Sequence, residues 1–90
     1  MSKSIFIVMR RLGDKDILGA YDSIDAAIAD MQKDSGIEQI GSDGLLVMQD
    51  DIGETTYTGA WSVYNADDYE LTDRGYKNYR EYYLIREFIV

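Results

Sequence analysis

A helix is the clearest element in the hydrophobic pattern of this chain. Apolar residues recur at the spacing of one helical face, at Ile24, Ala27, Ile28 and Met31. Ser23 stands before this stripe, where its hydroxyl can cap the first turn. Gly36 stands after it, where a left-handed residue can end the helix. The pattern therefore predicts an amphipathic helix between Ser23 and Gly36.

Period-two alternation and turn residues predict five strands around this helix. The predicted strands cover residues 4–11, 16–21, 45–49, 55–64 and 82–90, with turns at 12–15, 43–44 and 50–53. Residues 4–11 are apolar on both alternating faces, which favours a position inside the sheet. These elements predict a single α+β domain over residues 1–90, with a five-stranded, mostly antiparallel sheet and one amphipathic helix packed on one face. The connection 65–81 is long enough for a turn of helix or an excursion of the sheet.

The strand at 55–64 has two faces of different character. Its odd positions, which include Tyr57, Trp61 and Val63, are predicted to face the core. Its even positions, which include Ala60, Ser62 and Tyr64, are predicted to face solvent. Trp61 is thus expected in the core, whereas Tyr64 is a candidate contact residue.

The composition argues against most enzyme chemistry. The chain has no cysteine and no histidine, which excludes disulfides, thiolate nucleophiles and zinc-thiolate sites and removes the usual neutral-pH base. We therefore predict a non-enzymatic protein without catalytic residues, metal or cofactor. The longest apolar runs are too short for a signal peptide or a membrane span, so a cytoplasmic location is expected.

Charge is distributed unevenly along the chain. The net charge is −8, and residues 16–73 hold fourteen acidic residues against Lys33 alone. Direct binding to nucleic acid or to an anionic membrane needs clustered positive charge, so neither is predicted. A basic protein surface is the natural electrostatic complement.

Acidic pairs and tyrosines mark the candidate contact surface. The acids of two predicted connections fit no calcium loop, and the chain is too small for a glycosidase cleft, so they are interpreted as solvated groups available for binding. Acid and tyrosine on connecting segments are typical of a protein-binding surface. The predicted partner-binding residues are Asp50, Asp51, Glu54, Tyr64, Asp67, Asp68, Tyr69 and Glu70. Tyr76, Tyr79, Tyr82 and Tyr83 are instead predicted mainly to cover the sheet edge.

The segment LGAYDSIDAAIADM at 18–31 resembles the opening of small phage and prophage domains. Gly19, Tyr21, Ser23 and Ala27 occupy its G-x-Y-x-S-x-x-x-A positions. The resemblance covers about the first third of the chain and implies a strand hairpin leading into an amphipathic helix. In size, acidity and lack of Cys and His, the chain is also similar to phage-encoded inhibitors of host defence.

Three functions fit these features. The leading hypothesis is an acidic module that binds a basic, nucleic-acid-binding host protein by mimicking the nucleic-acid backbone. The second is a protein that sequesters a nucleotide signal, with Trp61 or tyrosines stacking on the base and Arg74, Arg80 or Arg86 holding phosphate. The third is an accessory protein whose acidity serves only solubility.

Overall fold

The computed structural model describes residues 3–11, 16–53, 57–71 and 77–90, with the backbone alone for 67–71 and 77–79. The fold has one helix, α1, and five strands, β1 to β5. Their bounds are β1 Ser4–Arg10, β2 Ile17–Tyr21, α1 Ile24–Ser35, β3 Leu45–Gln49, β4 Gly59–Leu71 and β5 Lys77–Ile89. The predicted turn at 12–15 and the first residues of the predicted strand at 55–64 lie outside the described residues.

All five strands join one antiparallel sheet, which confirms the predicted α+β fold. The strand order is β2-β1-β5-β4-β3, so the last strand in sequence occupies the centre. β1 lies between β2 and β5, as its two apolar faces predicted. The ends of the described chain meet in this arrangement, because Lys3 and Val90 exchange backbone hydrogen bonds of 3.1 and 2.8 Å.

The helix begins and ends where the sequence predicted. The Ser23 hydroxyl accepts a hydrogen bond from the Ala26 amide at 3.1 Å, and Gly36 adopts φ 75° at the other end. Ala27 and Met31 are fully buried and belong to the same core as Val8, Val63 and Ile85. The apolar stripe therefore packs on one face of the sheet. Among the described residues, no helix has both the length and the apolar character needed to cross a membrane.

The prediction of a solvent-facing even side in residues 55–64 is wrong for two positions. Ala60 and Ser62 are almost fully buried, at 2% and 5% exposure. They are small residues on an interior strand, and larger side chains on the adjacent strands cover them; their partners in register include Arg86, Leu84 and Met48. The odd side was predicted correctly for Val63, which is buried, and for Trp61, which packs against the core.

The connection 65–81 is mostly strand, as a continuation of the sheet. β4 runs on to Leu71 and β5 starts at Lys77, with Tyr69 opposite Tyr79 and Leu71 opposite Lys77. Within the described residues, pairing of β4 with β3 stops at Asn65 and pairing of β5 with β1 stops at Tyr83. Residues 66–71 of β4 and 77–81 of β5 thus form a two-stranded extension, called here the distal ribbon. The molecule is accordingly long, at 48 × 31 × 25 Å.

Tyrosines at the end of this segment lie at the centre of the sheet, where the sequence had placed them at an edge. Tyr83 is 3% exposed and belongs to the core, and Tyr82 is half-buried against it. Both belong to β5, whose neighbours are β1 and β4. Tyr82 and Tyr83 therefore stabilise the core, where the sequence predicted only that they cover the edge of the sheet.

Candidate functional site

Five of the predicted partner-binding residues lie on one strand. Tyr64, Asp67, Asp68, Tyr69 and Glu70 all belong to β4, and the last four lie in the distal ribbon. Of the two alternatives for the connection 65–81, a turn of helix or an excursion of the sheet, the described residues form the second. The backbone of the ribbon holds them in an extended array, so they form one continuous segment of the molecule.

The other predicted group lies at the opposite end of β4. The Asp50 amide donates to the carbonyl of Ala60 at 2.9 Å, seven residues before Asp67 in the strand. At about 3.3 Å per residue, these points are roughly 23 Å apart. Asp50 also accepts a 2.6 Å hydrogen bond from the Ser62 hydroxyl, a structural role that the sequence did not indicate. Asp51 is exposed, and Glu54 lies outside the described residues.

The structure brings a further acidic residue, Asp43, to the ribbon. The Ala66 amide donates to the Gly44 carbonyl at 2.9 Å, which places the turn at 41–44 beside β4. Asp43 precedes Gly44, and Asp67 follows Ala66. We call Asp43 together with Asp67, Asp68 and Glu70 the acidic end. The sequence indicates only a turn at Asp43. The residue of β4 that this turn contacts, Ala66, is more than twenty residues away in the chain.

Gly44 holds this turn in place. A Cβ atom at position 44 would clash with the carbonyl oxygen of Gln39, so only glycine allows the two backbone segments to approach so closely. The Gln39 carbonyl also accepts a 2.9 Å hydrogen bond from the Leu45 amide. Close backbone packing therefore fixes the position of Asp43 at the start of β3.

Acidic residues near the helix have structural partners. Arg10 donates from Nε and Nη2 to Asp34, with an Nη2–Oδ1 distance of 2.9 Å, and from Nη1 to Asp16 at 2.8 Å. The Tyr83 hydroxyl donates to Asp34 at 2.6 Å. The Arg10 guanidinium and the Tyr83 hydroxyl together hold the pKa of the Asp34 carboxyl below its usual range. A small cavity of about 140 Å³ borders this network, whose charges are already paired.

Asp30 has a similar role on the neighbouring turn. The Tyr21 hydroxyl donates to it at 2.7 Å and links β2 to α1. Partial burial, followed by this bond to a carboxylate, raises the pKa of Tyr21 to about 12. The contact also gives the tyrosine of the G-x-Y-x-S-x-x-x-A segment a structural function.

Ion pairs neutralise part of the acidic surface and leave the rest. Lys3 pairs with Asp22 at 3.2 Å, and Arg11 pairs with Glu81 at 3.6 Å. These pairs and those of Arg10 lie around β1. In the part of the chain whose side chains are described, four exposed carboxylates have no ion pair, namely Asp25, Glu38, Asp43 and Asp51. The acidic end lies beyond these pairs, and the β5 strand of the ribbon carries Lys77 and Arg80 beside it.

Two of the residues expected to hold a nucleotide, Trp61 and Arg86, lie on opposite sides of the sheet. Trp61 packs against Phe6, with ring centroids 5.8 Å apart, on the side that α1 covers. Arg86 lies opposite Ala60 on the other side, with its guanidinium carbon 5.2 Å from the ring centre of Tyr57. One small ligand could not contact both side chains. Arg74 lies outside the described residues.

Neither a metal site nor a similarity to known proteins indicates a second candidate functional site. Within residues 3–11, 16–53 and the other described ranges, no three Asp, Glu, His or Cys residues are grouped so that they could hold a metal ion. No protein-family model, curated protein or solved structure shows significant similarity to this chain. The acidic end is therefore the candidate site that the geometry of the chain itself defines.

Proposed function

We propose that this chain is a non-enzymatic binding module whose acidic end engages a basic surface on a partner protein. One observation carries the proposal: the hydrogen bond between Ala66 and Gly44 gathers acidic residues from two distant segments at one end of the molecule. Their electrostatic complement is a cluster of Lys and Arg. The absence of His and Cys from the sequence is consistent with binding as the function.

The proposed partner is a nucleic-acid-binding host protein of the cytoplasm. Such proteins present clustered positive charge that neutralises the phosphates of nucleic acid. A row of carboxylates along a strand offers the negative charge that those phosphates otherwise supply. In this form of the proposal the chain occupies the partner's nucleic-acid site and inhibits it, as a phage-type inhibitor of host defence would. The ribbon extends beyond the body of the sheet, which gives the residues on its backbone a way into a groove.

Displacement of DNA from candidate partners tests this function. Purified nucleic-acid-binding defence proteins are loaded with labelled DNA, and release of the DNA on addition of the chain is followed by fluorescence anisotropy at low and high salt. We expect a partner whose DNA is released, with an apparent affinity that falls steeply as salt rises, because exposed charges are screened over about 8 Å at physiological ionic strength. Binding that is insensitive to salt would contradict the acidic mechanism.

Two matched variants locate the surface. Asp67→Asn with Asp68→Asn removes two negative charges from the ribbon, whereas Asp25→Asn with Glu38→Gln removes the same charge from exposed sites elsewhere. The first pair should weaken binding by tenfold or more, and the second pair should change it little. Both should leave the melting temperature nearly unchanged, since surface charges contribute little to stability. Equal losses for the two pairs would show that only total charge matters.

A further inference from the structure

The side of the sheet away from α1 is largely apolar, and among the described residues the Tyr57 ring packs on part of it, against Phe88 and Arg86. In the antiparallel register Ile5 lies opposite Phe88 and Met9 opposite Leu84, on the side opposite to the buried Val8 and Ile85. The apolar members of this open face are Ile5, Ile7, Met9, Ile17, Leu46, Met48, Leu84 and Phe88. All of them lie outside the core cluster beneath the helix.

Members of the open face keep substantial exposure in the single chain. Met48 is 56% exposed and Ile17 is 63% exposed. The other six are half-buried, Phe88 in part by the Tyr57 ring. Adjacent apolar side chains over much of one sheet face form a patch that can serve as a site of association.

The open face also differs in charge from the rest of this acidic chain. Arg86, near its centre, rests over the Tyr57 ring and donates to the Ile85 carbonyl at 3.0 Å. Two acids border it: Asp50 is bonded to Ser62, and Glu81 is paired with Arg11. The acidic end lies beyond this surface. Two chains with a net charge of −8 can therefore approach through this face with little repulsion at the contact.

We propose that a second copy of this chain covers the open face, so that the two sheets stack in a two-fold dimer. Five strands at about 4.8 Å spacing, each about 18 Å long over the face, give a flat area of roughly 430 Å². Two such faces bury on the order of 900 Å² in total, or somewhat more because side chains make the surface uneven, which is near the lower limit for a biological interface and fits a dimer that dissociates on dilution. Sheets of this kind pack about 10 Å apart with their apolar side chains interleaved.

A second copy fits the open face better than an unrelated partner on two grounds. The same apolar surface is present on both copies, and a two-fold axis makes such a surface self-complementary. The proposed basic partner belongs to the acidic end, whereas this face holds no unpaired carboxylate among its described residues. In the dimer both acidic ends remain accessible, so dimerisation and partner binding do not compete.

The test is the oligomeric state of the whole chain by sedimentation equilibrium. The wild-type chain should have twice the mass of the 10.3 kDa monomer, with dissociation on dilution. Leu46→Glu should give a folded monomer, because the new carboxylate lies opposite Tyr64 and would be buried in the dimer without a cationic partner. Circular dichroism reports whether the variant is folded.

Two further variants keep the test decisive. Met48→Lys, at an exposed position of the open face, should also give a monomer and does not endanger the fold. Ala29→Glu, on the exposed side of α1, should remain dimeric. A monomeric wild-type chain, or a folded Leu46→Glu or Met48→Lys variant that stays dimeric, would overturn the proposal. The second result would assign the contact to another surface, such as the free edges of β2 and β3.

Discussion

The hydroxyl of Tyr83 donates a 2.6 Å hydrogen bond to the carboxylate of Asp34 and so ties the central strand of the sheet to the last turn of α1. Asp34 receives Arg10 from β1 at the same time. Three elements that are distant in sequence therefore meet at one carboxylate. Tyr83 is also a core residue, so its ring and its hydroxyl both connect the two layers.

Removing the Tyr83 hydroxyl tests how much this bond stabilises the fold. Tyr83→Phe keeps the buried ring and deletes a hydrogen bond to a charged group, which should lower the free energy of unfolding by about 1–3 kcal/mol. Urea denaturation measures the change. Tyr64→Phe is the matched control, because Tyr64 is half-buried and its hydroxyl has no hydrogen bond within the described part of the chain. Equal midpoints for the two variants would show that the bond contributes nothing.

Tyr21 should make the fold sensitive to alkali. Its pKa is raised to about 12 in the folded chain, whereas an unfolded tyrosine ionises near 10. Folding therefore favours the neutral phenol, and this contribution is fully present below pH 10 and is lost as pH rises towards 12. Tyr83, whose pKa is raised by burial and by Asp34, acts in the same direction.

The measurement is the free energy of unfolding as a function of pH between 9 and 12, the range spanned by the ordinary tyrosine pKa near 10 and the raised value of about 12. The wild-type curve should fall across this window. Tyr21→Phe should start lower, because the bond to Asp30 is gone, and should fall less steeply. A parallel fall in the two curves would show that Tyr21 does not carry the dependence.

Gly44 should tolerate no side chain. In Gly44→Ala the new methyl group meets the Gln39 carbonyl, and the backbone shift needed to relieve the clash should cost about 1–3 kcal/mol. Ser42→Ala, in the same turn and exposed, should stay within about 0.5 kcal/mol of the wild-type chain. Thermal melts of the two variants compare the costs. A silent Gly44→Ala substitution would mean that the turn is not held as described.

Local features of the fold could be predicted from the sequence. The stripe from Ile24 to Met31 and the capping residues Ser23 and Gly36 act within a few residues of each other, so the pattern contains the information needed to place the helix. The two apolar faces of β1 likewise reflect its position inside the sheet. In each case the residues that determine the structure lie in the segment itself, and the pattern of that segment is enough to predict it.

Long-range features could not be predicted in the same way. Ser62 is buried because of neighbours from two other strands, and alternation within its own strand cannot reveal them. Asp50 has a partner twelve residues away, and Asp43 reaches the ribbon only through the pairing of β3 with β4. The array at 67–70 lacks an apolar period because the ribbon extends beyond the core, and so it was interpreted as part of a connection.

The central position of β5 has a consequence for the order in which the chain can fold during synthesis. The hairpin of β1 and β2, the helix and the pairing of β3 with β4 use only residues that precede β5, so all three can form before β5 leaves the ribosome. Only β5 joins the two halves of the sheet, so the hydrophobic surfaces of both halves remain unprotected until then. Fifteen of the chain's seventeen acidic residues precede residue 74, and mutual repulsion between them would keep unfinished chains apart.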